Sequence, residues 1–278
     1  MAYQQSTSLE KHSEFTSRLC GGEIVCVLYD LELAKAQDIW NKTYQEALRL
    51  EKIFNFYDTD SELNLLNSTR KLQVSSELRE VLECALHYAQ FSHGLLDVSK
   101  GKQFLARKQG KELQVSCSYQ DISIQEDFVE LTHPDVLLDL GSIAKGFIGD
   151  KLIQFLKTQG IPGAFIDLRG DMIIYGDHLE VVDIVHPRGG EALATIILEN
   201  AAVATSGDYK QFTTSYDHSH LVGKQRASVT IIAPTLMEAD ALATCTVLTE
   251  DLTPTQPCCV WDGQTRMNAE FRRWCYGG

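Results

Sequence analysis

No stretch of this 278-residue chain has the length and apolarity of a membrane span, and no repeat, low-complexity tract or Pro/Ser-rich linker divides it. A single domain is therefore expected over residues 17–278, preceded by a flexible N-terminus at 1–16. There is no basic run able to neutralise phosphates, and with a net charge of −13 this argues against nucleic acid or an anionic membrane as partner. Met1 to Thr16 is polar and lacks the apolar core of a signal peptide, so a cytoplasmic location is expected. Leu19-Cys20-Gly21 loosely matches a lipoprotein cleavage site, but nothing hydrophobic precedes it. None of the eight cysteines shows CxxC spacing, which removes the usual zinc signature and leaves reduced, mostly buried thiols as the expectation.

What is present is ordinary for a soluble globular protein: 44% apolar and 23% charged residues. Glu23 to Tyr29 reads as a strand and Leu31 to Phe54 as a long helix, since Ala36, Ile39, Thr43, Ala47, Leu50 and Phe54 recur at helical spacing. Phe54 to Asn67 is expected to leave this helix through a polar turn and start a short second one, and a further helix is expected from about Glu77 to Phe91 with Ser76 as N-cap. Lys100 to Val129 carries no clear period and is read as short strands. A helix after Asp139 presents Ile143, Phe147, Ile148, Leu152, Phe155 and Leu156 on one face and ends at Gly160. Strands are expected at Ala164–Leu168, Asp171–Tyr175, Leu179–Val185, Ala192–Leu198 and Ala227–Ala233, separated by Gly, Pro and charged turns. Runs of strands after paired helices indicate an α+β architecture with a largely antiparallel sheet packed with helices.

The segment with the most chemical content is Glu238-Ala239-Asp240-Ala241-Leu242-Ala243-Thr244. Pro234, Thr235 and Glu238 have the arrangement of a capping box, so a helix is expected to start at Leu236. Asp240 then lies near the positive end of the helix dipole, and Thr244, four residues on, shares its face. The pair either presents two oxygens to a hard cation or is a solvated Asp and a back-bonded Thr on an ordinary amphipathic helix. Two further segments bear on the choice. Asp139-Leu140-Gly141-Ser142-Ile143-Ala144-Lys145-Gly146 opens a helix after an apolar run, and Ala204-Thr205-Ser206-Gly207-Asp208 ends another such run in what reads as a tight polar turn. GSIAKG lacks the length and terminal pair of a P-loop and is not the dinucleotide GxGxxG.

In order and content these segments resemble the ApbE family of magnesium-dependent FAD:protein FMN transferases. The matching motifs are Tyr57 to Asn67, Leu96-Asp97-Val98-Ser99, residues 139–146, Arg169-Gly170-Asp171, residues 204–209 and residues 239–244. The resemblance implies an ApbE-like (T-fold-like) architecture and transfer of FMN from FAD to a threonine of an acceptor protein, with release of AMP; FAD hydrolysis to FMN and AMP, or FAD binding without catalysis, are the alternatives. It implies that Mg²⁺ is held by the side chains of Asp240 and Thr244 and the carbonyls of Ser142 and Ala243. FAD would be held by Tyr57, Leu95, Leu96, Asp97, Asp139, Lys145, Asp171, Ser206 and Gly207, with Lys145 near the pyrophosphate unless it is a snorkelling surface lysine. His220 falls where the family has a histidine, contacts the substrate and suits the role of base, with Asp240 the second catalytic residue. The chain departs from the family at Leu19-Cys20-Gly21-Gly22, in the shorter Leu221 to Lys224 segment, and at Arg169, which either contacts phosphate or obstructs the usual approach.

Overall fold

The computed structural model describes residues 2–3, 12–208, 223–252 and 254–276. The chain begins with strands β1 (Ala2–Tyr3), β2 (His12–Leu19) and β3 (Gly22–Tyr29), followed by helices α1 (Leu33–Phe54) and α2 (Glu62–Thr69). Strand β4 (Lys71–Gln73), helices α3 (Ser76–Phe91) and α4 (Gly101–Lys108), and the hairpin β5 (Ile122–Gln125) and β6 (Phe128–Leu131) come next. Helix α5 (Ala144–Thr158) leads into β7 (Ala164–Leu168), β8 (Asp171–Tyr175), β9 (Glu180–Ile184), β10 (Ala194–Leu198) and β11 (Ala202–Gly207). Strand β12 (Ser228–Ala233), helix α6 (Leu236–Leu248), strands β13 (Cys258–Trp261) and β14 (Thr265–Met267), and the short α7 (Ala269–Arg272) complete it.

Eight strands form the main sheet in the order β14-β13-β12-β11-β8-β7-β3-β2, with every neighbouring pair antiparallel. Two three-stranded sheets, β1-β9-β10 and β4-β6-β5, flank it. The central strands are mostly apolar because both of their faces are covered. Ile24, Cys26 and Leu28 of β3 pack into a core with the helices, whereas Val27 and Tyr29 pack with Val182, Ile184, Ile196 and Leu198 of the second sheet. Strands β7 and β8 divide in the same way, with Ile166 and Ile173 on the helix side and Phe165 and Met172 on the other. The expected mixed, largely antiparallel α+β class is the one observed. No helix among the described residues is long and apolar enough to cross a membrane.

Several boundaries need correction. Residues 12–16, expected to be flexible, belong to β2, which pairs with β3 from His12↔Tyr29 to Leu19↔Gly22; residues 4–11 lie outside the described residues. The N-cap of α3 is Ser75, whose hydroxyl accepts from Leu78 N at 3.2 Å, and not Ser76. The Lys100–Val129 segment opens with α4; with Gly101 its only buried residue, that helix has no apolar stripe from which to be read. Residues 204–207 are not a turn but the second half of β11, paired with β12 from Ala204↔Ile231 to Gly207↔Ser228, with Thr205 and Thr230 hydroxyls 2.8 Å apart across the pair.

Helix α6 begins at Leu236 as expected, and Thr235 Oγ1 accepts from Glu238 N at 3.3 Å. Glu238 does not complete a capping box; its carboxylate accepts from Gln256 at 2.9 Å. Asp150 of α5 takes over, accepting from Leu236 N at 2.7 Å and Met237 N at 2.9 Å. The helix is not amphipathic: eleven of its thirteen residues are buried between sheet and helices. It crosses α5 at Gly146, where a Cβ would fall 2.5 Å from Met237 Cα and 2.6 Å from Leu236 O. A side chain there would force the two helices apart.

Candidate active site

The crossing of α5 and α6 matters because it forms the floor of a cavity of about 1050 Å³. Lys145 stands on the first turn of α5, Asp240 and Thr244 on α6, Asp171 at the start of β8, and Ser206 and Gly207 at the end of β11; all six line this cavity. Their gathering follows from topology. Strands β8 and β11 are adjacent in the sheet, and α6 packs on β11 directly after leaving β12.

Lys145 is not a snorkelling surface residue. Its ammonium is hydrogen-bonded to Asp171 Oδ2 and lies 3.8 Å from Asp240 Oδ2, and both carboxylates are almost wholly buried. Asp171 is fixed further by Thr205 N, which donates to Oδ1 at 3.3 Å. Asp240 is held more loosely: apart from Lys145, its partner is the Gly146 amide at 3.4 Å. Burial pushes the Asp240 carboxyl above the ordinary carboxylate range, against the opposing pull of Lys145. One turn along α6, Thr244 Oγ1 lies 3.0 Å from Ser206 Oγ.

A buried carboxylate with only long contacts, one helical turn from a pair of hydroxyls, is a donor set composed of oxygen, suited to a hard cation that keeps water or phosphate in its shell. Among the described residues no group of three or more His, Cys, Asp or Glu is placed to hold a metal, so a zinc-type centre is not what these residues offer. Ser142 lines the cavity, whereas Ala243 is fully buried and does not, so any share it has in a metal shell rests on its carbonyl. The residues fit Mg²⁺.

Leu95, Leu96 and Asp97 line the opposite wall. Leu95 is half exposed and Leu96 is buried. The Asp97 carboxylate is already engaged, accepting from Ser99 Oγ at 2.6 Å, Ser99 N at 3.0 Å and Tyr119 N at 3.2 Å. It shapes the wall, and what it can offer a ligand is main chain. Asp139 is similar: Oδ1 accepts from Gly141 N at 2.9 Å, and burial raises its carboxyl. At the mouth, Tyr57 is 67% exposed and its hydroxyl accepts from Lys108 Nζ at 2.5 Å. The same ammonium lies 4.7 Å from the Phe104 ring centroid.

Some lining residues had no sequence signal. Gln103, Phe104, Arg107 and Lys108 form the cavity face of α4, with Lys100 just before it, legible only once that segment is known to be helical. Glu51, at the end of α1, accepts from Cys20 N at 2.6 Å and fixes the β2–β3 turn. Arg169 lines the cavity. Its guanidinium donates to Cys20 O at 2.6 Å and lies over Gly22, where a Cβ would meet it at 2.5 Å. It ties the β7–β8 turn to the β2–β3 turn along one rim of the cavity. His220 lies outside the described residues.

A family model described as the ApbE family matches residues 23–252. Among curated relatives, the FAD:protein FMN transferase of Treponema pallidum (strain Nichols) is 29% identical over 245 residues, covering 71% of this chain and 68% of the relative. The protein of the same name from Haemophilus influenzae is 27% identical over 246 residues, covering 73% and 71%. The solved structure of the flavin transferase ApbE from Vibrio cholerae superposes with a TM-score of 0.81 over 95% of this chain and 99% of its own, at 19% identity. The ApbE protein from Thermotoga maritima gives 0.83 over 96% and 100%, at 21% identity. At those identities the structural matches speak for the fold.

Proposed function

The chain belongs to the ApbE family, and from that premise we propose that it transfers FMN from FAD to a threonine hydroxyl of an acceptor protein, releasing AMP, with Mg²⁺ as cofactor. The observation that carries this reading is the set of Asp240, Thr244, Ser206 and Lys145 at the floor of a cavity of about 1050 Å³ with an aromatic and basic mouth. The curated names of the relatives support the activity. The metal, the threonine, the site residues, a cytoplasmic setting and a single domain that includes β2 are parts of this proposal.

The acceptor oxygen attacks the FMN-side phosphorus, a P–O bond forms, and the bond to the AMP phosphate breaks with its electron pair leaving on AMP. Asp240 and Thr244 would hold the metal by their side chains, with the carbonyls of Ser142 and Ala243. Bound there, Mg²⁺ supplies positive charge against the pyrophosphate and its leaving group. Lys145 adds a second, covalently fixed cation at the same end, oriented by Asp171. Burial of the Asp171 and Asp240 side chains limits screening by water at that end of the cavity, which strengthens both interactions. Tyr57, Leu95 and Leu96 offer apolar and ring surface to the flavin or adenine, and the Asp97 and Asp139 turns offer main chain. His220 is the proposed base for the acceptor hydroxyl.

Incubation of the protein with FAD, Mg²⁺ and candidate acceptor proteins tests this. Flavin fluorescence that stays with the denatured acceptor band supports transfer. Free FMN with no labelled acceptor replaces transfer with hydrolysis, and unchanged FAD removes both.

A further inference from the structure

Asp208 follows directly on the cavity wall formed by Ser206 and Gly207, yet it does not face the cavity and is fully buried. Its carboxylate is gripped from two directions. Arg188, from the β9–β10 connection, donates from Nη1 to Oδ1 at 2.6 Å and from Nη2 to Oδ2 at 2.9 Å. Lys224 Nζ lies 2.8 Å from Oδ2. The Arg188 guanidinium lies 5.2 Å from the Trp261 ring centroid, and its own amide donates to His186 Nδ1 at 3.1 Å.

The position of this clamp explains its use. Among the described residues, strand β11 is paired on both sides only at Ala202 and Val203; beyond them β8 reaches it through the Asp171 side chain at Thr205 N, and Ala204 to Gly207 have β12 along one edge and no described strand along the other. That half-supported stretch carries Ser206, whose hydroxyl meets Thr244 Oγ1 at 3.0 Å. Asp208 N donates to Ala227 O at 3.1 Å, and its side chain reaches the second sheet through Arg188. A buried two-pronged ion pair just past the last pair of such a strand fixes it more tightly than one strand edge does.

We infer that Asp208 is a positioning residue: gripped by Arg188 and Lys224, it holds the C-terminal end of β11 so that Ser206 orients the Thr244 hydroxyl at the cavity floor. The assignment rests on the reading of Thr244 as a metal-facing oxygen. Removing the grip deletes no cavity side chain but loosens the wall that carries Ser206, so its signature is weakened metal binding in a folded protein.

The test uses Mn²⁺ alone, titrated into the full chain and followed by electron paramagnetic resonance, so that it does not depend on turnover. Arg188→Ala should weaken Mn²⁺ binding roughly tenfold, the usual effect of losing a group that orients a ligand. Arg188→Lys should fall between it and the wild type, and millimolar guanidinium ion should restore the Arg188→Ala protein. Asp208→Asn should act in the same direction; if it does not fold, the Arg188 pair decides. Mn²⁺ affinity unchanged in folded Arg188→Ala overturns the inference, as does a loss that guanidinium leaves untouched, or a wild type that binds no Mn²⁺. A wild type that binds Mn²⁺ and shows the Arg188 effect but never labels an acceptor or turns over FAD sinks the transferase proposal and leaves the role of Asp208 standing.

Discussion

Replacing Lys145 with methionine removes a cation from between two carboxylates while keeping most of the side-chain volume. The Lys145 side chain is 26% exposed and those of Asp171 and Asp240 are each 7% exposed, so water screens the group only partly. Taking one partner from a buried ion pair costs about 3–5 kcal/mol, because what remains is uncompensated charge. Proton uptake by Asp240, whose carboxyl is raised by burial, limits that cost, so the low end is taken and the loss should be smaller at pH 6 than at pH 8. For a chain of this size about 3 kcal/mol corresponds to a fall of roughly 6–12 °C in the unfolding midpoint. The assay is thermal unfolding in EDTA and in millimolar Mg²⁺, at both pH values. In EDTA the variant should melt well below the wild type, and in Mg²⁺ the gap should narrow, since a dication at Asp240 replaces the lost charge. A fall below about 2 °C in EDTA would show that Lys145 does not balance these carboxylates. An equal fall with and without Mg²⁺ would show that no metal binds at Asp240.

Asp240→Ala should abolish Mg²⁺-dependent FAD turnover while circular dichroism stays native, and Thr244→Val should be milder, since it keeps shape and loses one neutral oxygen; titration of Mg²⁺ against rate checks both. Gly146→Ala should cost about 1–3 kcal/mol in urea unfolding, because the new methyl meets Met237 and Leu236 backbone and not a flexible side chain. The Asp150 carboxyl is pushed up to about 6 by burial, despite the two amides of α6 that it accepts from. A raised acid binds its proton in the folded state first, so its contribution to stability grows as pH falls from about 6 to about 4 and is lost as pH rises back through 6. In Asp150→Asn that part of the pH dependence should vanish from the difference between the two unfolding curves. His220→Asn should slow transfer by roughly two to four orders of magnitude with little change in FAD affinity, measured by single-turnover kinetics.

The sequence was most legible where local chemistry decides the structure. Pro234, Thr235 and Glu238 marked the start of α6, and glycine-bounded apolar runs gave β7 and β8 their observed limits. Asp240, Thr244, Lys145 and Asp171 were recognised as motif members, but nothing local could say that Lys145 and Asp171 would bond across 26 positions of sequence. Polar residues misled in β11: Thr205 and Ser206 look like a turn because their partners, Thr230 and Thr244, are 25 and 38 residues away. Helix α4 was missed for the opposite reason, having almost no buried face to impose a period. Arg169 stayed ambiguous because its partner, the Cys20 carbonyl, is 149 residues distant.

The contrast between α6 and α4 sets how this protein could be re-engineered. A helix with eleven of thirteen residues buried against sheet and neighbours has almost no position that can change without disturbing the others. Helix α4 presents Gln103, Phe104, Arg107 and Lys108 to the same cavity from a backbone that anchors itself by little more than Gly101. Side chains there can be exchanged at small cost in stability. A library aimed at new ligands would therefore randomise the mouth along α4 and leave the floor untouched, and its members would be expected to differ in what they admit while sharing one chemistry.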